Sequence, residues 1–183
     1  KEVAQTIILK ASSSNSPHYN FEEFGVLNEI RSQMDFALAS QQESLNKLIV
    51  FDMDNTILRG RFIDTCADKF NFKAQLMDIR SAETDSTILT KRIAKLLKNR
   101  TIDELIDVTD SIDIVADTEK IIDNLKIRGY VVGIISDSYD CITNHLKNKY
   151  GFDFTLANEL EFSNSVATGE VKIPSFYLPH ENS

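Results

Sequence analysis

The sequence predicts an α/β fold: a parallel sheet with a helical cap inserted after the first of its core strands. Three observations carry this. Two apolar runs, Leu48 to Phe51 and Tyr130 to Ile135, have the length of buried strands, and each stops at a polar residue, Asp52 and Ser136. Residues 61–110, between them, carry helical patterning. The order strand, helical insert, helix, strand, helix, strand is that of a parallel sheet with crossover helices.

Each element has its own warrant. Gln5 to Ala11 reads as a strand, and Ser12 to Pro17 as a polar loop. Asn20 with Glu23 forms a capping box, and Phe24, Leu27, Ile30 and Met34 repeat at helical spacing after it. Asp35 to Ala39 reads as a second short strand, and Ser40 to Asn46 as a linker. Lys47 to Phe51 is the first strand of the core. In the insert, Phe62, Cys66 and Phe70 share one helical face, and Leu89, Ile93, Leu96 and Leu97 share another. Thr101 with Glu104 predicts a capping box ahead of Leu105 and Ile106. A helix over about 117–128 stops at Gly129, and one over about 139–149 stops at Gly151. Asp153 to Ala157 reads as a strand. Glu159 to Phe162, a turn at Ser163 to Ser165, and Thr168 to Ile173 read as a hairpin.

Composition narrows the function. The 183 residues suffice for one domain and part of another. A net charge of -8 argues against a nucleic-acid partner or an anionic membrane surface, both of which need a basic footprint. No apolar run approaches the ~20 residues that span a bilayer. The start of the chain lacks the pattern of a secretory signal. Cys66 and Cys141 have no metal or redox spacing, which suggests a reduced, cytoplasmic protein. His18, His145 and His180 are scattered and form no metal motif.

The chemistry concentrates in Asp52-Met53-Asp54-Asn55-Thr56, at the carboxyl end of the first core strand, where open α/β sheets build their sites. Two carboxylates two residues apart on a chain leaving a strand can aim at one point. The first can attack an electrophile or hold a cation, and the second can pass a proton. Crowding two anions calls for a hard cation such as Mg²⁺. The bare D-x-D-x-T pattern is weak in so acidic a chain. Its place between Leu48-Ile-Val-Phe51 and Ile57-Leu58 gives it weight.

From about Lys47 onward the chain resembles the haloacid dehalogenase superfamily, within it the phosphoserine-phosphatase-like group. Asp52, Asp54 and Thr56 match the first motif, and Val131-Val-Gly-Ile-Ile-Ser136 matches the second, a strand ending in Ser or Thr. Ala157-Asn-Glu-Leu160 and Thr168-Gly-Glu-Val171 are similar to the group's hairpin. The resemblance implies a Rossmann-like sheet with its cap over about 60–112, and a Mg²⁺-dependent phosphomonoesterase acting on a small phosphorylated metabolite. Asp52 would attack phosphorus and form an aspartyl-phosphate. Asp54 would protonate the leaving alcohol and then activate water. Thr56 and Ser136 would bind the phosphoryl group, and Mg²⁺ would take the Asp52 carboxylate and the Asp54 carbonyl. Residues 1–40 resemble part of an ACT-like regulatory domain. ACT domains often pair, so a homodimer is implied.

The chain also departs from the group. After Lys172 it has no lysine and after Asp153 no aspartate, so the third and fourth motifs are absent. The expectation is a catalytic domain truncated at its C-terminus, inactive in isolation, with the free edge of the first core strand exposed or covered by another chain. Where the group places a glutamate for the substrate amine, this chain has Arg61, which puts phosphoserine in doubt. Arg92 falls where the group has an arginine for the substrate carboxylate, which implies a carboxylated metabolite. The group's glycine pair is replaced by Asp137-Ser138. Asp137 is either near the phosphate or a cap for the helix at Tyr139. A second functional reading stays open: a non-catalytic regulatory or ligand-binding module.

Overall fold

The computed structural model describes residues 5–9, as backbone, and residues 47–174. The predicted helix after Asn20 and the strand at Asp35 to Ala39 lie outside the described residues. Five strands form one sheet in sequence order: β1 (Gln5–Leu9), β2 (Lys47–Phe51), β3 (Val131–Tyr139), β4 (Phe154–Ser163) and β5 (Val166–Lys172). The first three pairings are parallel and the last is antiparallel. The helices are α1 (Phe62–Lys69), α2 (Lys73–Ala82), α3 (Ser86–Leu96), α4 (Ile102–Asp110), α5 (Thr118–Ile127) and α6 (Asp140–Tyr150). The predicted α/β class with a parallel-dominated sheet is what is seen.

The apolar runs are strands because both their faces are covered. Leu48, Ile49 and Val50 are buried on β2, as are Val132 and Ile134 on β3. Gly133 is required by its neighbour: a Cβ there would lie 2.2 Å from the Phe154 ring, which crosses it from β4. The helices begin and end as their sequences dictate. Thr101 accepts from the Glu104 N–H at 3.1 Å while Glu104 accepts from the Thr101 N–H at 2.8 Å, the predicted capping box. Asp85 caps α3 by accepting from the Ile88 N–H at 2.9 Å. Gly151, with φ 76, ends α6 in the left-handed conformation.

The chain leaves the sheet after β2 and returns beside itself. Arg59 N–H donates to the Asp113 carbonyl at 2.7 Å and Val115 N–H to the Ile57 carbonyl at 2.9 Å. Helices α1–α4 lie between these crossings. Their far end is tied to the β4–β5 hairpin, where Asn99 N–H donates to Ala167 and Ala167 N–H donates to Arg100, at 2.9 and 2.8 Å. Asp110 of α4 also meets His145 and Lys149 of α6, at 2.8 and 2.7 Å. One buried cluster runs from Met53, Phe62 and Leu105 to Ile134 and Leu146, so the helical insert and the sheet share a core.

Four expectations are corrected. Strand β1 does not begin a separate sheet: it pairs in parallel with β2, Gln5 opposite Lys47 and Leu9 opposite Phe51. The edge of β2 is therefore covered by this chain itself, which satisfies its backbone groups. Strand β3 does not stop at Ser136. It runs to Tyr139 through a shift in register against β4. The two short segments at 153–157 and 159–162 are one continuous strand, β4, because its alternate residues stay buried. The hairpin turn is two residues long, Asn164 and Ser165, with φ 50 and 64. That pair of left-handed residues is the turn type whose twist suits a tight hairpin.

Candidate active site

The site grows out of the end of β2. Phe51 is level with Ile134 of β3, so Asp52 and Ser136 emerge from one edge of the sheet. Asp52 is half-buried, and its Oδ1 accepts from the Met53 N–H at 2.8 Å. Met53 is fully buried and anchors the turn, its carbonyl accepting the N–H groups of Thr56, Ile57 and Leu58 at 3.0–3.3 Å. The chain turns sharply because Asn55 takes a left-handed φ of 59, which asparagine tolerates well. Thr56 lies half-buried in this turn.

Asp54 is held across the turn. Its Oδ1 accepts from the Phe62 N–H at 2.9 Å, in the first turn of α1. Burial pushes its ionisation up to about 7, and the nearby negative charges of Asp137 and Asp52 add to this. The Phe62 N–H and the Arg61 charge oppose it. A carboxyl group poised near neutrality can give a proton and take one back.

The other wall is the end of β3. Ser136 is 2% exposed, and its Oγ accepts from the Ser138 N–H at 3.1 Å. Asp137 is exposed, and its carbonyl accepts from the Asn158 side-chain amide at 2.6 Å. Helix α6 begins only at Asp140, with Tyr139 as its N-cap and no side-chain cap bond. The capping alternative for Asp137 therefore fails, because the strand carries past it. Tyr139 packs edge to face on Phe62, 6.3 Å between ring centroids, joining β3 to α1 behind the carboxylates.

The structure thus gathers Asp52, Asp54, Arg61 and Asp137 in one electrostatic cluster. Arg92 has a different neighbour in the structure: it faces Glu83 at 3.6 Å. Glu83 also accepts from the N–H groups of Thr84 and Asp85, so the pair braces the turn between α2 and α3. Asn158 enters the sequence reading only as part of the Ala157 to Leu160 match, without a role of its own. Its signal is an amide that directly follows the apolar pair Leu156-Ala157, and its side chain holds the extended stretch that carries Ser136 and Asp137. Cys66 and Cys141 are not candidates for a nucleophile. Burial pushes both thiols up, Cys141 to about 12 and Cys66 further.

Among the described residues, no three His, Cys, Asp or Glu side chains are grouped as a metal site. The donors that are present still suit a hard cation. They are carboxylate and carbonyl oxygens, and the repulsion from Asp137 and Asp52 that adds to the effect of burial on Asp54 is what a cation would relieve. They supply part of an octahedral shell, to be shared with substrate oxygens and water. No helix among the described residues is long and apolar enough to cross a membrane.

The model of the haloacid dehalogenase-like hydrolases matches residues 49–182. The chain belongs to that family. It is 31% identical over 135 residues to a phosphoserine phosphatase of Methanocaldococcus jannaschii, covering 71% of this chain and 64% of that protein. It is 29% identical over 131 residues to one of Archaeoglobus fulgidus, covering 69% of this chain and 38% of that one. Among solved structures, a substrate-bound phosphoserine phosphatase superposes with a TM-score of 0.61 at 28% identity, over 71% of this chain and 64% of that one. A phospho-aspartyl intermediate analogue of a phosphoserine phosphatase gives 0.59 at 29%, over 68% and 62%. The chain therefore spans less than two thirds of the length of these relatives.

Proposed function

We propose that this protein is a Mg²⁺-dependent phosphomonoesterase of the phosphoserine-phosphatase-like group, acting on a small phosphorylated metabolite in the cytoplasm. One observation carries the reading: Asp52 and Asp54 share one turn at the end of a buried parallel strand, and burial pushes Asp54 up to about 7. A carboxyl group near neutrality beside the Asp52 carboxylate places a proton carrier two residues from the proposed nucleophile. The relatives named as phosphoserine phosphatases support the reaction class.

An Asp52 oxygen bonds to phosphorus as the bond from phosphorus to the alcohol oxygen breaks. Protonated Asp54 gives its proton to that oxygen, and the alcohol leaves. Asp54, now a carboxylate, takes a proton from water. The water oxygen bonds to phosphorus, the bond from phosphorus to Asp52 breaks, and the Asp52 carboxylate is restored. Ser136 and Thr56 hold the phosphoryl oxygens. The Asp52 carboxylate and the Asp54 main-chain carbonyl would hold Mg²⁺, which supplies positive charge to the phosphoryl group when bound.

Helices α1–α4, within about residues 60–112, are the cap in this reading, and Arg61, Arg92 and Asp137 line the substrate side. Arg92 would reach a substrate carboxylate by leaving Glu83. An ACT-like segment over residues 1–40 and a homodimer belong to this proposal only.

The test is a screen of phosphorylated metabolites with and without Mg²⁺, on the longest form of the chain that its gene encodes. Release of phosphate that depends on metal and on Asp52 is expected. Binding of metabolites with no turnover of any ester would favour the non-catalytic module instead.

A further inference from the structure

Strand β3 does not run evenly into α6. Ile135 is opposite Leu156 and Tyr139 is opposite Asn158, so Ser136, Asp137 and Ser138 on β3 face Ala157 alone on β4. A bulge of this kind re-aims side chains and takes backbone groups out of the ladder. Three bonds hold it. Within the bulge, the Ser138 N–H donates to Ser136 Oγ at 3.1 Å. From β4, the Asn158 side-chain amide donates to the Asp137 carbonyl at 2.6 Å. Just past the bulge, the Leu160 N–H donates to Asp140 Oδ1 at 3.2 Å.

The last bond is not an ordinary helix cap. Asp85 and Thr101 each accept an N–H of the helix they begin, three residues on. Asp140, the first residue of α6, accepts from a strand 20 residues away, and α6 has no side-chain cap bond. Leu160 is buried and lies two residues past the last pairing of β4 with β3. Its N–H needs a partner that β3 no longer supplies, and the Asp140 carboxyl is that partner. Asp140 is half-buried; burial raises its ionisation, and the Leu160 N–H is the strongest influence against that rise. We infer that Asp140 is a positioning residue for the phosphoryl site: by taking the Leu160 N–H it anchors the start of α6 to β4, and so fixes the far end of the bulge that aims Ser136. The near end is fixed by the regular pairing of Ile135. This rests on the phosphatase reading above and adds to it a residue that works through Ser136.

The experiment measures kcat on the best ester of the metabolite screen, with Mg²⁺ and the same long form of the protein, below the melting transition of every variant. Asp140→Ala removes the acceptor and should lower kcat on the order of tenfold or more, because small displacements of a group that serves the transition state are that costly. Asp140→Asn keeps an oxygen that can accept the Leu160 N–H, and should restore most of the loss. Asp140→Ser keeps a polar group at the helix start, but its hydroxyl stops one bond short of the Leu160 N–H. It should behave like the alanine variant, and it replaces that variant if alanine prevents folding. In a Ser136→Ala background, the loss of the Asp140 carboxyl should have almost no further effect on kcat, because the group it positions is already gone. A purely structural role would cost the same in both backgrounds. An undiminished loss in the Ser136→Ala background, an asparagine variant as slow as the serine one, or wild-type kcat without the acceptor overturns this inference alone. Failure of the unmodified protein to hydrolyse any ester overturns the phosphatase reading together with it.

Discussion

The Phe62 N–H donates to Asp54 Oδ1 at 2.9 Å, tying the first turn of a helix to a carboxyl group eight residues earlier in the chain. This bond fixes Asp54, the proton carrier of the proposed mechanism, and the entry to the helical insert with one contact. It also leaves the second carboxyl oxygen of Asp54 to serve a substrate.

Asp54→Asn separates catalysis from stability. In the proposed mechanism the amide can accept the Phe62 bond but cannot move a proton, so turnover should fall about 10²- to 10⁴-fold. Stability should move the other way. The folded pKa is raised from 3.8 to about 7, so the folded state holds a proton that the unfolded chain has lost. That contribution is complete below pH ~4 and disappears as pH rises through ~7. In metal-free buffer the variant should therefore gain melting temperature over wild type at pH 8 and less at pH 5. An equal difference at both values would count against a raised Asp54.

Arg92 offers a split between stability and substrate binding. Its pair with Glu83 is half-exposed on the arginine side, so Arg92→Ala should lower stability by less than about 1 kcal/mol. If Arg92 also reaches a substrate carboxylate, KM for carboxylated esters should rise tenfold or more with little change in kcat. Unchanged KM, with the small loss in melting temperature, would leave Arg92 as a brace for the α2–α3 turn.

Gly133→Ala should destabilise the sheet. Its Cβ would overlap the Phe154 ring at 2.2 Å, and overpacking of this kind costs about 1–3 kcal/mol. Denaturant melts check this, and Phe154→Leu in the same chain should recover part of the loss. A Gly133→Ala protein as stable as wild type would mean that the ring moves aside freely.

Asn158→Ala tests the wall that carries Ser136. The Asp137 carbonyl would lose its 2.6 Å partner, at a cost of about 1–3 kcal/mol if the group remains buried. Activity should fall more than stability alone explains, because Ser136 and Asp137 lie on the stretch that this bond holds. Retained kcat/KM in a folded variant would argue against that positioning.

Much of this was legible in the sequence because the relevant signals are local. Leu48 to Phe51 and Val131 to Ile135 announce buried strands by composition. Thr101 and Glu104 announce a capping box by spacing, and Gly151 announces a helix end by its freedom at positive φ. What was missed depends on contacts between distant segments. The extension of β3 to Tyr139 is sustained by β4 and the Asn158 amide, 21 residues beyond Asp137. The pairing of Gln5–Leu9 with β2 joins strands that no local pattern links. Arg92 sits in an apolar stripe that says nothing of Glu83, its neighbour across a turn. In the same way, the spacing of Asp52 and Asp54 pointed to a site. What the spacing does not show is the raised ionisation of Asp54, which comes from its burial and from the charges of Asp137 and Asp52.

The central claim is that Asp52 becomes phosphorylated. Rapid acid quench during turnover of a good ester, followed by peptide mapping, should find a phosphoryl group on the peptide containing Asp52. Asp52→Asn should remove it and slow turnover on the order of 10³-fold or more. A phosphoryl group on another residue, or an Asp52→Asn protein with a tenth of the wild-type rate, would contradict the account.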